Sequence, residues 1–330
     1  METPPSHRRC PGGHLFEASD PHPYCPSCRS CSLEQPCDIC RAWQPTSAGG
    51  SPRPRGLAVI EESTRVSLTT TPPWNPFRLD TGEAVIGVTL ADPDVYRGDY
   101  SALYHAKVLN MYIDVLAALG QDPDLTSNVW ARGKLAHYVS SIMAARQEQT
   151  PSSFFGYNLT SILQAQLILS EEYFRVNRFA LSLMAIALCQ QNETFGQQFE
   201  DILTAHPGTY LYGIDEASMI TLACLCLNTQ GCSSAAQDAE KFVSKNLKSS
   251  LNVYSLGLGS QALIATEKPV YLRQIRNAVC AIKRKLDISE TMDHGLGVSQ
   301  ILPPFANRSF LDIVRLPPLG QSQGHRLSIL

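Results

Sequence analysis

Residues 252–263 read NVYSLGLGSQAL. Two glycines stand two apart, Gly257 and Gly259, behind a short apolar run. A dinucleotide-binding loop would place such glycines between a strand and a helix inside a βαβ unit. Here the upstream segment DAEKFVSKNLKSS has the pattern of a helix. Ala262 occupies the place of the third glycine. No strand is available to carry the acidic residue that would hold a ribose. The stretch therefore reads as a helix whose small residues Gly257, Gly259 and Ser260 let a neighbouring helix come close. Each glycine costs such a helix about 1 kcal/mol of propensity, which close packing has to offset.

Outward from this helix the same texture continues. In SALYHAKVLNMYIDVLAALG the residues Tyr104, Val108, Met111, Val115 and Leu119 form one helical stripe ending at Gly120. Similar stripes follow near residues 130–146, 157–171, 178–191, 196–205, 215–228, 235–247, 254–265, 270–285 and 292–302. No period-two strand lies between them. The expected body is all-α, with ten to twelve helices joined by short connections in an antiparallel array such as a toroid or solenoid.

The expected organisation has four parts. Residues 1–45 are a Cys-rich leader, 46–94 a linker rich in Pro, Ser, Thr and Gly, 95–315 the helical body, and 316–330 an unstructured tail. The net charge of -3 over 330 residues points to neither nucleic acid nor a membrane surface as partner. The longest apolar runs, FALSLMAIALC (179–189) and ITLACLCL (220–227), are too short to insert in a membrane. METPPSHRRCPGGHLFEASD contains no apolar core of a secretory signal.

Six of the eleven cysteines lie within residues 10–40. CPSCRSCSLEQPCDIC spaces Cys25 from Cys28 and Cys37 from Cys40 as two Cys-x2-Cys pairs. Four thiolates so arranged fit one tetrahedral zinc; an oxidised or unstructured leader is the alternative. This segment also weakly resembles small Cys-x2-Cys modules of mobile-element-encoded proteins.

The body resembles a known family on several segments in register. NVYSLGLGSQAL is similar to a signature helix of the cobalamin carriers: intrinsic factor, transcobalamin and haptocorrin. FALSLMAIALCQQNE (179–193), GIDEASMITLACLCL (213–227) and VSQILPPFANRSFLDI (298–313) resemble further segments of that family in the same order. TSILQAQLILSEEYF (160–174) adds a weaker match. The resemblance implies an α6/α6 toroid carrying a corrin ring at one end, and a non-catalytic protein that binds and transports cobalamin outside the cell. It implies a corrinoid ligand and a cell-surface uptake receptor as partners. The family's second, β domain, which clamps the ligand, would begin where this sequence stops.

A corrin edge bears amides, and so calls for amide, hydroxyl and carboxylate partners around an apolar floor. Asn252 is the first candidate, with helix capping as its plain alternative. Tyr254 and Ser255 follow it as apolar wall and small polar contact. Asp215 matches a family residue facing ligand amides, and is also a natural N-cap for the helix it opens. Gln300 can read an amide. Phe179 stands where the carriers have a contacting Tyr, and Lys134 where they have Gln; a lysine cannot accept a hydrogen bond. Glu216 replaces a small residue of the family. His206 is the histidine of the loop HPGTYLYGID, but surface exposure suits it better than cobalt ligation.

The resemblance also pairs Cys189 with Cys226 as a disulfide. Cys280 matches a family cysteine whose partner lies upstream, in a segment that this chain has replaced. The plain alternative is that these and Cys224 and Cys232 are buried thiols. Asn158, Asn192 and Asn307 open glycosylation sequons. Two rivals stand beside the carrier reading. One is an isoprenoid cyclase or prenyltransferase on the same toroid, which would need an acidic or zinc cluster in its mouth. The other is a decayed chimera whose helices merely fold.

Overall fold

The computed structural model describes residues 80–127, 130–288 and 297–316, and a short antiparallel ribbon of β1 (His7–Arg9) and β2 (Leu15–Glu17). The leader's cysteine pairs, Cys25 with Cys28 and Cys37 with Cys40, lie outside the described residues, as do the rest of the linker to residue 79 and the tail from residue 317. The body is all-α, as the periodicity implies.

The first helix, α1 (Asp80–Ala91), falls within the stretch read as linker, so the folded body begins upstream of residue 95. Its sequence TGEAVIGVTLA shows no polar stripe. The reason is burial on every side: Ala84, Val85, Ile86, Val88 and Leu90 are all fully buried. The long amphipathic helix α2 (Ser101–Gln121) follows and buries the stripe from Tyr104 to Leu119. After a kink at Arg132 and Gly133 come α3 (Leu135–Ala145), α4 (Leu159–Leu169), α5 (Glu171–Val176) and α6 (Arg178–Cys189). Then follow α7 (Gln197–Thr204), α8 (Ile214–Leu227), α9 (Gln230–Asn246) and α10 (Val253–Ala265). The last are α11 (Leu272–Ile288) and the single turn α12 (Val298–Ile301).

Packing follows a cycle. Helix α1 lies on α3, α3 on α6, α6 on α8, α8 on α10, α10 on α12, and α12 returns to α1. The helices between them in sequence, α2, α4, α7, α9 and α11, pack against members of the cycle. Burial separates the two sets. Helices α3, α8 and α10 are buried on nearly all faces, whereas α2 and α9 bury one stripe. Small hydroxyl residues suit the first set. Ser141, Ser182, Ser218, Thr221 and Ser260 each donate to the carbonyl four residues back, at 2.7–2.8 Å, so none leaves a buried polar group unmet.

Close approach explains the glycines of the decisive stretch. A Cβ on Gly257 would collide with the backbone carbonyl of Gln300, and one on Gly259 would lie 2.8 Å from Leu247 Cδ1. On the other side, a Cβ on Gly87 would lie 2.6 Å from the carbonyl oxygen of Val298. The turn α12 is thus wedged between α1 and α10 at two glycines. Buried Gln261 fastens it: its Nε2 donates to the carbonyls of Ser299 (2.8 Å) and Gln300 (2.9 Å). Its Oε1 accepts from the backbone N–H of Phe310 at 2.9 Å, while Gln190 Nε2 donates to the Phe310 carbonyl at 2.7 Å. Gly257→Ala is expected to destabilise the fold by about 1–3 kcal/mol, because rigid backbone has to move. Gly120→Ala in α2, where a Cβ meets nothing within 4 Å, should instead be neutral or gain up to about 1 kcal/mol. Urea denaturation of the two variants checks the contrast; equal effects would sink it.

Candidate functional site

The first turns of the cycle helices meet at one end. Gly82 of α1 faces Ser141 and His137 of α3. Gly133, entering α3 with a left-handed φ of 115°, faces Ala180 and Leu183 of α6. Arg178 of α6 pairs with Glu216 of α8 at 2.7 Å. Asp215 of α8 meets Ser255 of α10. The ring of Tyr254 in α10 covers Gly297 at the entry to α12, and the Gly297 N–H donates to Glu83 of α1. The residues singled out from sequence therefore sit on neighbouring first turns.

Asp215 is not the N-cap of α8. Gly213 holds that position, with φ 57°, and no side chain caps the helix. The loop ahead is fastened by Glu216 instead, whose Oε2 accepts from the Tyr212 N–H at 3.0 Å. This releases the Asp215 carboxylate. Its Oδ1 is buried without a hydrogen-bond partner. Burial raises its pKa above the usual carboxylate range, and the hydrogen bond with the Ser255 hydroxyl opposes that only in part.

Asn252 does cap α10: its Oδ1 accepts from the Ser255 N–H at 2.8 Å. It remains exposed, as does Tyr254 at 40 %, while Ser255 is buried. Gln300 is half-buried on α12. Phe179 packs half-buried on the core beside the α6 cap Asn177. Lys134 is buried, with its Nζ 5.6 Å from the centre of the Tyr138 ring. It lies near Asp114, which accepts from Thr81 at 3.1 Å and Tyr138 at 3.2 Å. Burial raises the pKa of Asp114; those two hydrogen bonds, and then the charges of Lys134 and Lys107, pull it down.

Three residues of this end carried no sequence expectation. The Arg178 guanidinium donates to Glu216 and to the carbonyls of Ala205 and Thr209, and lies 5.6 Å from the centre of the Tyr210 ring. It straps the loop that holds His206, which is exposed. A cation in the first turn of a helix opposes the helix dipole, so its need for an acid was the available signal. Glu216, an oddity by family comparison, is that acid. His137 is buried, its Nε2 has no partner, and burial lowers its pKa to about 4. Buried Ser299 likewise has an unpartnered Oγ. Nothing in the sequence pattern marks either.

Away from this end, Cys189 and Cys226 form a disulfide with Cα atoms 6.1 Å apart, at the last turns of α6 and α8. Cys280 is likewise disulfide-bonded. Among the described residues, no group of three or more His, Cys, Asp or Glu is placed to hold a metal ion. No helix among them is long and apolar enough to cross a membrane.

A family model described as eukaryotic cobalamin-binding protein matches residues 100–324. Among curated proteins, none matches the chain.

Proposed function

Because this chain belongs to the eukaryotic cobalamin-binding protein family, we propose that it binds a corrinoid over the shared end of its cycle helices and serves as a non-catalytic carrier. The observation that carries this reading is Asp215: a carboxylate oxygen buried at that end with no partner in the protein. An uncompensated buried polar group costs the fold free energy, and a bound amide N–H would repay it. The unpartnered Ser299 hydroxyl and the exposed Asn252 amide lie on the neighbouring first turns. Tyr254, Tyr212 and Leu211 stay exposed at 40, 49 and 70 %, an apolar surface suited to a corrin face. Phe179 adds to that floor, Gln300 reads a ring amide, and Lys134 acts from beneath by setting the charge around Asp114. The cycle of packed helices supports the α6/α6 toroid as the scaffold.

Transport outside the cell belongs to the same proposal. A disulfide suits an oxidising compartment. The sequon residues Asn158, Asn192 and Asn307 are all exposed. A cell-surface uptake receptor is the corresponding partner.

Titration of the folded chain with hydroxocobalamin should change the corrinoid absorption spectrum and saturate. Asp215→Ala should weaken binding by about 1.5–3 kcal/mol, the range for a hydrogen bond to a charged group. Thermal stability should stay level or rise, since the carboxylate is buried at a cost. No spectral change with folded protein at high ligand would overturn the proposal. Equal affinity in the Asp215→Ala variant would remove this residue from it.

A further inference from the structure

Cys224, near the end of α8, and Cys232, in the first turn of α9, are both buried and both free. Their thiols hydrogen-bond to each other across the turn that joins the two helices. We propose that Cys224 and Cys232 form an oxidation site that reacts with a small-molecule disulfide and closes to a second cystine, fastening α8 to α9.

Three observations carry this. The two thiols are hydrogen-bond partners, so the sulfurs start side by side. The two thiols are also unequal. Cys232 sits three residues after the cap Thr229, whose Oγ1 accepts from the Cys232 N–H at 3.3 Å, at the positive end of a 17-residue helix. The hydrogen bond from the Cys224 thiol, and a second with Thr229, draw the Cys232 pKa down against its burial, which makes Cys232 the attacking sulfur. Finally, the neighbouring pair Cys189–Cys226 is already a disulfide, and Cys226 is two residues from Cys224. An oxidising compartment, which suits the first bond, suits the second equally.

The exchange balances. The Cys232 thiolate attacks one sulfur of the small disulfide, forms a mixed disulfide and expels one small thiolate. That thiolate takes the Cys224 proton. The Cys224 sulfur then attacks the Cys232 sulfur, and the second small thiolate leaves with the proton first lost by Cys232. The two cysteines give up two electrons and two protons, and the small disulfide departs as two thiols. Because both sulfurs are buried, the exchange runs while the Leu227–Gln230 turn opens or before it first closes.

The test is a disulfide map of the full chain, incubated at neutral pH with reduced or with oxidised glutathione. Cleavage after Leu225 and Leu227 separates Cys224, Cys226 and Cys232. The expected result with the oxidised form is that Cys224 and Cys232 both vanish from the alkylatable thiols and appear in one linked peptide pair, with Cys189–Cys226 retained. In Cys232→Ser the remaining Cys224 thiol should stay alkylatable under the same conditions, whereas in Cys224→Ser Cys232 should stop at the mixed disulfide with glutathione, with the helical circular dichroism unchanged in both. The proposal is overturned if both thiols stay alkylatable while Cys189–Cys226 is closed. It is equally overturned if Cys224 is found joined to Cys189 or Cys226, if the Cys224 thiol of Cys232→Ser disappears as fast as the pair does, or if Cys232 of Cys224→Ser takes up no glutathione.

Discussion

Arg178→Ala is expected to lower the unfolding free energy by about 3–5 kcal/mol and to weaken corrinoid binding as well. The Arg178 and Glu216 side chains are only 11 % and 2 % exposed, so removing the guanidinium strands a carboxylate in the interior. The variant also frees the carbonyls of Ala205 and Thr209, which Arg178 holds. The loop from residue 205 to 213 then loses its tie to α6, one residue short of the helix that carries Asp215. Two further variants separate the contributions. Arg178→Lys keeps a charge for Glu216 but lacks the fork that reaches two carbonyls, and should lose less. Arg178→Ala with Glu216→Gln removes the stranded charge and should recover part of the stability while binding stays weak. Denaturant melts and hydroxocobalamin titrations of all three measure this. A loss below about 1 kcal/mol for Arg178→Ala would show that the pair is a surface-like interaction after all.

Replacing Cys189 and Cys226 by alanine should cost about 3–4 kcal/mol, because the bond closes a sequence separation of 37 residues in the unfolded chain. For a body of this size that corresponds to a fall in Tm of roughly 10 °C. The bond lies at the last turns of α6 and α8, the end opposite Asp215 and Asn252. Affinity of the folded fraction should therefore be unchanged. That separates it from Arg178→Ala, which acts at the binding end. A double-alanine variant as stable as the parent, or one that folds but binds tenfold more weakly, would contradict the assignment.

Much of the fold was legible from periodicity. Helices that bury one stripe, such as α2 and α9, announce themselves because solvent demands polar residues on the other face. Helix α1 escaped because it has no solvent face, so TGEAVIGVTLA carries no period to read. The glycines of the decisive stretch were legible as a demand for close packing, yet not as to what approaches. The partner is the backbone of Gln300, some forty residues further on.

At the candidate site the division is sharper. Capping, the alternative that sequence offers for Asn252 beside a ligand contact, is local, spanning three residues, and the structure shows it. Asp215 reads as a cap by the same rule, and the rule fails. Gly213 caps the helix, two residues early, and Glu216, held by Arg178 from another helix, ties the loop. Local interactions depend on residue type and spacing, which a sequence carries in full. Sequence therefore settled the helices with a solvent face and the need for close contact at Gly257, and offered the cap at Asn252 as one of two roles. Only the tertiary structure decided which buried charge is paired and which is left open to a ligand. The Arg178–Glu216 pair spans 38 residues, and the unmet oxygen of Asp215 exists only once α10 has closed over it.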